Sequence, residues 1–242
     1  AIIAVGLEDE TFIRSIHGEG ARLFIVDVAN GFNAHVEPVI KFIQDLGETF
    51  VICGNVASRE GFQYLAELGT DAIRVGIGNG SMCTTSVMTG VGQGIVTALL
   101  ECREIKAQMN YKSLIIADGG IVAVGDIALA LGLGADLVMI GRMFAGTREA
   151  EGNILKYNGK LYKAYRGSAS FGVQVKHKSN PYFVEGDETI VGYKGSVQNI
   201  FEQIEAGLRS ALSYMGCANI KDLQKKASFV RYHMDEKLFK SS

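Results

Sequence analysis

Residues 74–92 read RVGIGNGSMCTTSVMTGVG, a strand-like run that leads into a glycine-rich loop around Cys83. The run Asp71–Val75 predicts a buried strand, and the glycines that follow it allow the backbone to turn with positive φ or to approach a ligand closely. Loops that follow the strands of barrel folds carry their chemistry. Cys83, with Ser81 two positions before it and Thr85 two positions after it, is therefore a candidate covalent nucleophile.

Short apolar runs recur along the chain and alternate with helical patterns, which is typical of repeated βα units with a parallel sheet. They are rich in Val, Ile and Leu without alternation, as expected for strands buried on both faces. The predicted strands are Ile2–Val5, Leu23–Asp27, Phe50–Cys53, Ala72–Val75, Leu114–Ala117 and Leu137–Ile140. The predicted helices lie near Val36–Leu46, Arg59–Leu68, Ile95–Gln108 and Gly125–Leu133.

The number of predicted strands bears on the fold class. Six strands are two fewer than a (β/α)8 TIM barrel requires. The chain does not begin with Met, so we expect the first strands to belong to an N-terminal part outside this sequence. Its 242 residues fit one domain, and we predict a single catalytic (β/α)8 barrel domain over residues 1–242. An open doubly wound sheet is the alternative, weakened because no GxGxxG follows the first strand.

The pattern changes after Gly146. Residues Asn153–Tyr165, with Asn158-Gly159 at their centre, predict a β-hairpin with a type I′ turn. Residues 168–190 are polar and weakly patterned, so we interpret them as a mobile flap. A long helix is predicted near Ser196–Met215, followed by a basic, exposed tail.

Composition excludes several classes of partner. The net charge of −2 gives no broad attraction to nucleic acid or to anionic membranes. No apolar run is long enough to span a bilayer, and no signal peptide opens the chain. The four cysteines are widely spaced and form no CxxC motif, which indicates a reduced, cytoplasmic protein rather than a disulfide or zinc scaffold.

The cysteines differ in their surroundings. Cys53, Cys102 and Cys217 lie in apolar or helical runs and are interpreted as packing residues. Cys83 has Gly, Ser and Thr neighbours, which favours the functional interpretation over burial as a small hydrophobe. Of the four histidines, only His35 follows a strand, so neither a Cys–His dyad nor a histidine metal site is supported.

Polar or glycine residues close several predicted strands. They are Asp27, Gly54, Asn55, Asp118, Gly119, Gly120 and Gly141. Any one of them is most often a helix cap or a turn residue, but several together with the Cys83 loop favour an active site at that edge of the sheet. The glycines at 119, 120 and 141 precede helical segments and suit phosphate binding by backbone N–H groups, with tight strand-to-helix packing as the alternative.

Seven motifs occur together in a specific order. They are GIGNGSMCTT, TGVG, ADGGI, GDIA, GADLVMIGRMFAGT, YRGSAS and VEGDETIVGYKGSV. From about Ile3 to Ser228 the chain resembles the IMP dehydrogenase/GMP reductase family. The resemblance implies a (β/α)8 barrel, usually a homotetramer, that acts on purine C2 of a nucleoside monophosphate with a nicotinamide cofactor. A CBS pair, where present, would be inserted upstream of residue 1.

The resemblance also implies roles for individual residues. Cys83 matches the nucleophile that attacks purine C2, and Thr85 and Glu149 match positions that handle proton transfer around it. The implied substrate-binding residues are Ser81, Gly119, Gly120, Gly141 and Tyr165 at the 5′-phosphate, Asp118 at the ribose, Glu185 at the base, and Gly167. Asp27 and Asn55 match positions near the nicotinamide. The carbonyls of Gly76, Gly78 and Cys83 match a potassium site of the dehydrogenases.

Different residues favour different members of the family. VDVANG, a short flap and Pro181 before Tyr182, where dehydrogenases carry an Arg that activates water, favour a GMP reductase that uses NADPH. Arg166 and the run GTREAEG favour an IMP dehydrogenase that uses NAD and potassium. Departures from both groups are Arg142, Ser86 and Ser168-Ala169. A nucleotide-binding regulator without turnover is a further alternative, which the intact set of Cys83, Thr85, Glu149 and Asp118 argues against.

Overall fold

A six-stranded parallel β-sheet organises the computed structural model, which describes residues 1–83, 85–166 and 188–230. Its strands are β1 (Ile2–Val5), β2 (Leu23–Asp27), β3 (Phe50–Val56), β4 (Ala72–Val75), β5 (Leu114–Asp118) and β6 (Leu137–Met139). They lie side by side in chain order, and every neighbouring pair is parallel. A doubly wound sheet changes direction at a switch point. The unbroken order therefore excludes that alternative and confirms the predicted barrel class.

Helices connect the parallel strands. They are α1 (Glu10–Gly18), α2 (Val36–Asp45), α3 (Arg59–Glu67), α4 (Thr85–Thr89), α5 (Ile95–Met109) and α6 (Val124–Gly132). The four predicted helices are confirmed within one residue at each end. The sequence did not indicate α1, in which Ile13 is the buried residue, or the five-residue α4, which buries none. Helix α4 lacks the repeated apolar positions on which periodicity depends, whereas α1 has them at Phe12, Ile13 and Ile16 but extends over only nine residues.

Alternate residues of each strand face opposite sides of the sheet. One side, with Phe24 and Ile73 fully buried, packs against the helices and forms the main core. The other side carries a smaller cluster built on Ile52, Ala72 and Ile116. This second cluster corresponds to the layered interior of a barrel.

The inner side changes from apolar to charged at the C-terminal ends of the strands. Asp27, Arg74 and Asp118 stand two residues beyond the apolar inner positions of β2, β4 and β5. The strand register pairs Asp27 with Gly54, and Gly54 with Arg74. The three charged side chains therefore converge at one end of the sheet, where barrels place their active sites.

A separate antiparallel sheet contains β7 (Ile154–Tyr157), β8 (Lys160–Arg166) and β9 (Glu188–Gly192). Asn158 and Gly159 have φ values of 46° and 74°, so the predicted type I′ hairpin is confirmed. Of the predicted flap, residues 168–187 lie outside the described ranges. Residues 188–190 are not flap but part of β9, because they pair with β8. The sequence of a polar segment carries no local sign that the segment pairs with a distant strand.

The C-terminal part is helical. The predicted helix is confirmed as α7 (Gln198–Tyr214), which packs against α6. The prediction of an exposed tail after it is wrong for α8 (Ile220–Lys226), because Leu223 is buried and Arg103 donates a 2.8 Å hydrogen bond to the Gln224 carbonyl. Among the helices of the described ranges, none is long and apolar enough to cross a membrane.

Candidate active site

Arg74 forms the centre of an ionic network at the C-terminal ends of the strands. Its Nη1 lies 2.7 Å from Asp27 Oδ1, and its Nη2 lies 2.8 Å from Asp118 Oδ2. The network thus joins a residue predicted to contact the cofactor to one predicted to contact the ribose. Burial lowers the pKa of Arg74, but the charges of Asp118 and Asp27 outweigh this effect and raise it overall. Arg74 is therefore a permanent cation that fixes both carboxylates.

Sequence reasoning missed Arg74, although one signal was available. The residue interrupts the apolar run AIRV of β4 at an inner position of a strand buried on both faces. A charge in such a place is unfavourable unless it is paired. An Arg within a buried parallel strand therefore indicates acidic partners on the neighbouring strands.

Asn55 extends the network toward the Cys83 loop. Its Nδ2 donates to Asp118 Oδ2 at 2.8 Å and to the Gly76 carbonyl at 2.6 Å. Gly54, just before it, must be a glycine for steric reasons, because a Cβ there would lie 2.6 Å from the Cβ of Arg74. The polar ends of β2, β3, β4 and β5 are thus brought together as predicted.

The Cys83 loop places the thiol beside a hydroxyl. Cys83 Sγ donates a 3.3 Å hydrogen bond to Thr85 Oγ1, and the Cys83 backbone N–H donates to the Gly80 carbonyl at 3.0 Å. Both side chains are half-buried, and Ser81 is exposed in the turn before them. Thr84 lies outside the described residues. The thiol is accessible and has a polar neighbour within reach, as a nucleophile requires.

The Cys83 loop packs directly on the loop that follows β5. A Cβ on Gly119 would lie 2.8 Å from the backbone of Asn79 and Gly80, so only a glycine fits there. Gly120 is exposed beside it, with φ of 76°. The candidate nucleophile loop and the Asp118-Gly119-Gly120 loop therefore form one continuous surface.

Replacing Gly76 with alanine is expected to destabilise the protein by more than about 3 kcal/mol. Gly76 has φ of 138°, and an added Cβ would lie 2.0 Å from the Asp118 backbone oxygen. Gly90→Ala is the matched control, because Gly90 also has positive φ but nothing within 4 Å, so about 1 kcal/mol is expected. Urea unfolding measures both values. Equal losses in the two variants would show that the close contact with Asp118 is unimportant.

Tyr165 connects β8 to the loop after β6. Its hydroxyl lies 2.9 Å from the position that a Cβ on Gly141 would take. Burial raises the pKa of Tyr165, the positive charge of Arg142 lowers it, and the negative charge of Asp118 raises it further. The hydroxyl thus remains a neutral donor close to Gly141, one of the glycines predicted to bind the phosphate. Gly167 and Glu185, also predicted to bind substrate, lie outside the described residues.

Glu149 is held at the start of α7. Its carboxylate accepts hydrogen bonds from the Val197 N–H at 2.8 Å, the Ser196 hydroxyl at 3.2 Å and Arg148 Nη2 at 3.0 Å. The Val197 hydrogen bond is the main reason that the pKa of Glu149 is lowered, with burial opposing it. The structure thus holds the Glu149 carboxylate in its ionised form. Besides the adjacent Arg148, its partners Ser196 and Val197 lie in a segment that sequence reasoning did not associate with it.

The residues predicted to hold a cofactor or cation have suitable chemistry. Asp27 and Asn55 present a carboxylate and an amide on either side of Arg74, a set that can hydrogen-bond ribose hydroxyls or a carboxamide. Gly76, Gly78 and Cys83 supply backbone carbonyls from one loop, the hard ligands that potassium accepts. The Asn55 amide already donates to the Gly76 oxygen and so occupies one of its two lone pairs. Within the described ranges, no group of three or more His, Cys, Asp or Glu side chains is arranged to bind a metal.

Two of the other cysteines confirm the packing interpretation. Cys53 and Cys102 are buried, and burial raises the pKa of each thiol to about 12. Cys217 does not lie in a helix; it is half-buried in the turn after α7, with Sγ 3.4 Å from the Met215 carbonyl. The sequence interpretation is therefore wrong for its location and only partly right for its burial.

Alkylation of the folded protein with iodoacetamide at about pH 8 is expected to modify Cys83 and Cys217 but not Cys53 or Cys102. A thiol with a pKa of about 12 is only about one part in ten thousand thiolate at that pH, and both buried thiols are also inaccessible. Peptide mass spectrometry identifies the labelled positions. Denatured protein, in which all four cysteines react, is the control, and native labelling of Cys53 or Cys102 would contradict the burial.

Comparisons with known proteins identify the family of this chain. A model of the IMP dehydrogenase / GMP reductase domain matches residues 1–236. Among curated proteins, the chain is 42% identical over 240 residues to inosine-5′-monophosphate dehydrogenase of Aquifex aeolicus, covering 94% of this chain and 49% of that protein. It is 39% identical over 245 residues to the enzyme of that name from Escherichia coli K12, covering 96% and 49%.

A solved structure is also similar. It is GMP reductase from Trypanosoma brucei in complex with guanosine 5′-monophosphate, which is 35% identical and has a TM-score of 0.88 over 95% of this chain and 49% of that one. The chain thus spans about half the length of the curated relatives it matches. Because the family model covers almost every residue, the chain belongs to the IMP dehydrogenase/GMP reductase family of oxidoreductases.

Proposed function

We propose that the chain carries the catalytic centre of a GMP reductase, which converts GMP, NADPH and two protons into IMP, NADP⁺ and ammonium. The observation that carries the proposal is the contact of Cys83 with Thr85, in a loop packed on the one that follows Asp118. The reductase branch is supported by Pro181 before Tyr182, where the dehydrogenases carry the Arg that activates water. Without that Arg, hydrolysis of a covalent intermediate should be slow.

The proposed mechanism begins at the thiol. The Cys83 thiolate adds to purine C2, and the exocyclic amine accepts a proton and leaves as ammonia. Thr85, in contact with the sulfur, and Glu149 manage proton transfer around C2. A bound nicotinamide supplies the hydride that C2 receives. The carbon–sulfur bond then breaks, which releases IMP and restores the thiolate.

The remaining residues bind and orient the nucleotide. Asp118, held by Arg74 and Asn55, accepts hydrogen bonds from the ribose hydroxyls. Backbone N–H groups at residues 119, 120 and 141, with the Ser81 and Tyr165 hydroxyls, donate to the 5′-phosphate. Asp27 and Asn55 would hold the nicotinamide end of the cofactor, and Glu185 the base. We further propose a homotetramer as the working assembly.

An IMP dehydrogenase that uses NAD, water and potassium is the second candidate. It is supported by the names of the curated relatives, which are 42% and 39% identical to this chain, and by the run GTREAEG around Glu149. The carbonyls of the Cys83 loop would then hold the potassium ion. The two candidates share the covalent step and differ in whether ammonia leaves or water attacks.

A paired assay of the full-length protein tests the proposal. One reaction contains GMP with NADPH, and the other contains IMP with NAD and potassium. The absorbance of the reduced nicotinamide is measured in both. A decrease in the first alone supports the reductase, and an increase in the second alone supports the dehydrogenase. Silence in both, with GMP still bound in calorimetry, would leave a nucleotide-binding regulator as the function.

A further inference from the structure

Arg142 is a cation at the candidate site that the proposed mechanism does not use. It follows Gly141 directly, at a position where the chain departs from both groups of the family. The residue is exposed. Among residues 1–83, 85–166 and 188–230, no ion pair includes its guanidinium. An arginine presents five donors and cannot lose its charge, so this guanidinium remains available to an anionic ligand.

The loop after β6 carries Arg142 to the edge of the sheet where the nucleotide is proposed to bind. Residues 141–145 form a turn, closed by two hydrogen bonds that the Gly141 carbonyl accepts. The Tyr165 hydroxyl lies 2.9 Å from the position that a Cβ on Gly141 would take. Burial raises the pKa of this hydroxyl, and the positive charge of Arg142 opposes that shift, so the guanidinium lies within electrostatic reach. Arg142 therefore stands beside two groups that are proposed to contact the 5′-phosphate.

A second cation, Lys194, holds this turn in place. Its Nζ donates to the carbonyl oxygens of Arg142 and Met143, at 3.0 Å each. Burial lowers the pKa of Lys194, and the positive charge of Arg142 lowers it further. No carboxylate in the described part of the chain forms an ion pair with either cation. Two neighbouring positive charges without an acidic partner concentrate anions, which is what a phosphate-binding edge requires.

We propose that Arg142 is a substrate-binding residue that pairs with the 5′-phosphate and so selects the nucleotide over the nucleoside. The inference rests on the proposed function for the identity of the ligand. The other groups proposed to contact the phosphate are backbone N–H groups and hydroxyls, all of which are neutral. Arg142 adds the positive charge that this set lacks, and its planar fork matches two phosphate oxygens at once. The phosphate does not react, so Arg142 acts on binding and not on the chemistry at C2.

Arg142→Gln in the full-length protein tests this inference, with GMP and guanosine as the two ligands. Calorimetry measures GMP binding, and competition against GMP measures guanosine binding. We expect Kd for GMP to rise about 10- to 100-fold, while Kd for guanosine changes less than about twofold and kcat less than about threefold. Arg209→Gln, which removes an equally exposed charge from α7, should change neither affinity. Unchanged GMP affinity, or equal losses for both ligands, would overturn the inference.

Salt dependence gives a second measurement, which needs no guanosine. Because salt screens exposed charges, GMP affinity should fall more between ~0.05 M and ~0.5 M NaCl in the wild type than in Arg142→Gln. Arg142→Lys keeps the charge without the fork and should lose about three- to tenfold in GMP affinity. Equal salt dependence in the wild type and Arg142→Gln would overturn the inference.

The proposed function and this inference fail in different ways. A wild type that binds GMP but turns over neither GMP nor IMP refutes the proposed function alone. Binding and turnover that Arg142→Gln leaves unchanged refute the role of Arg142 alone. A wild type that binds neither nucleotide refutes both.

Discussion

Cys83→Ser is expected to lower turnover at least about 10³-fold while leaving nucleotide affinity within a few fold of the wild type. A serine hydroxyl is far less ionised and less nucleophilic than a thiol at neutral pH, so the covalent step stops. The backbone donors and Asp118, which hold the nucleotide, do not depend on the sulfur. Steady-state assays and calorimetry with GMP measure the two effects separately.

Cys217→Ser is the matched control, because Cys217 is also half-buried and lies in the turn after α7. It should keep full activity. A 6-chloropurine nucleoside monophosphate should add covalently to Cys83 in the wild type and in this control, and mass spectrometry locates the adduct. An unmodified Cys83 at saturating analogue, or an active Cys83→Ser, would refute covalent catalysis.

Arg74→Met is expected to cost about 2–4 kcal/mol of unfolding free energy and nearly all activity. The substitution leaves Asp27 and Asp118 close together without the cation that both contact at 2.7 and 2.8 Å. This expected loss of unfolding free energy is smaller than for a fully buried ion pair, because the Asp27 side chain is 41% exposed and its carboxylate remains partly hydrated. Activity falls because Asp118 is no longer oriented. Urea unfolding and the nicotinamide assay measure the two losses.

Arg59→Met provides the comparison for that variant. Arg59 pairs with Glu104 at 2.7 Å on the surface, with the two side chains 34% and 61% exposed. Such a pair contributes less than about 1 kcal/mol, and it lies outside the candidate site. If the two substitutions cost the same, the Arg74 network does not stabilise the strand ends. If Arg74→Met keeps its activity, Asp118 needs no orientation by Arg74.

Much of the fold could be predicted from local patterns. The parallel strands are continuous apolar runs, because burial on both faces leaves no polar alternation. The hairpin follows from Asn158-Gly159, where a type I′ turn needs two residues with positive φ. Four of the helices with an apolar stripe on the parallel sheet were found, whereas the nine-residue α1 was missed and α4, which buries no residue, gave no signal. These elements are determined by residues close together in the chain.

The sequence predicted most residues of the candidate site but not the contacts between them. Cys83, Thr85 and the polar strand ends were found because they break an apolar or helical pattern. The contacts of Asp27 and Asp118 with Arg74 were not found, because an Arg within a strand reads as an isolated charge. Apart from the adjacent Arg148, the partners of Glu149 are Ser196 and Val197, which lie 47 and 48 positions further along the chain.

The sequence by itself determined the six parallel strands, the hairpin, the order of the βα units and the candidates for the nucleophile, for proton transfer and for hydrogen bonding to the phosphate. Each of these depends on local composition or on backbone freedom at particular glycines. Only the tertiary structure decided which groups meet: Asp27 with Asp118 through Arg74, and the Glu149 carboxylate with the Val197 N–H at the start of α7. The reason is physical, since a charge buried among apolar strands must find its partners across the sheet, where sequence spacing gives no measure of distance.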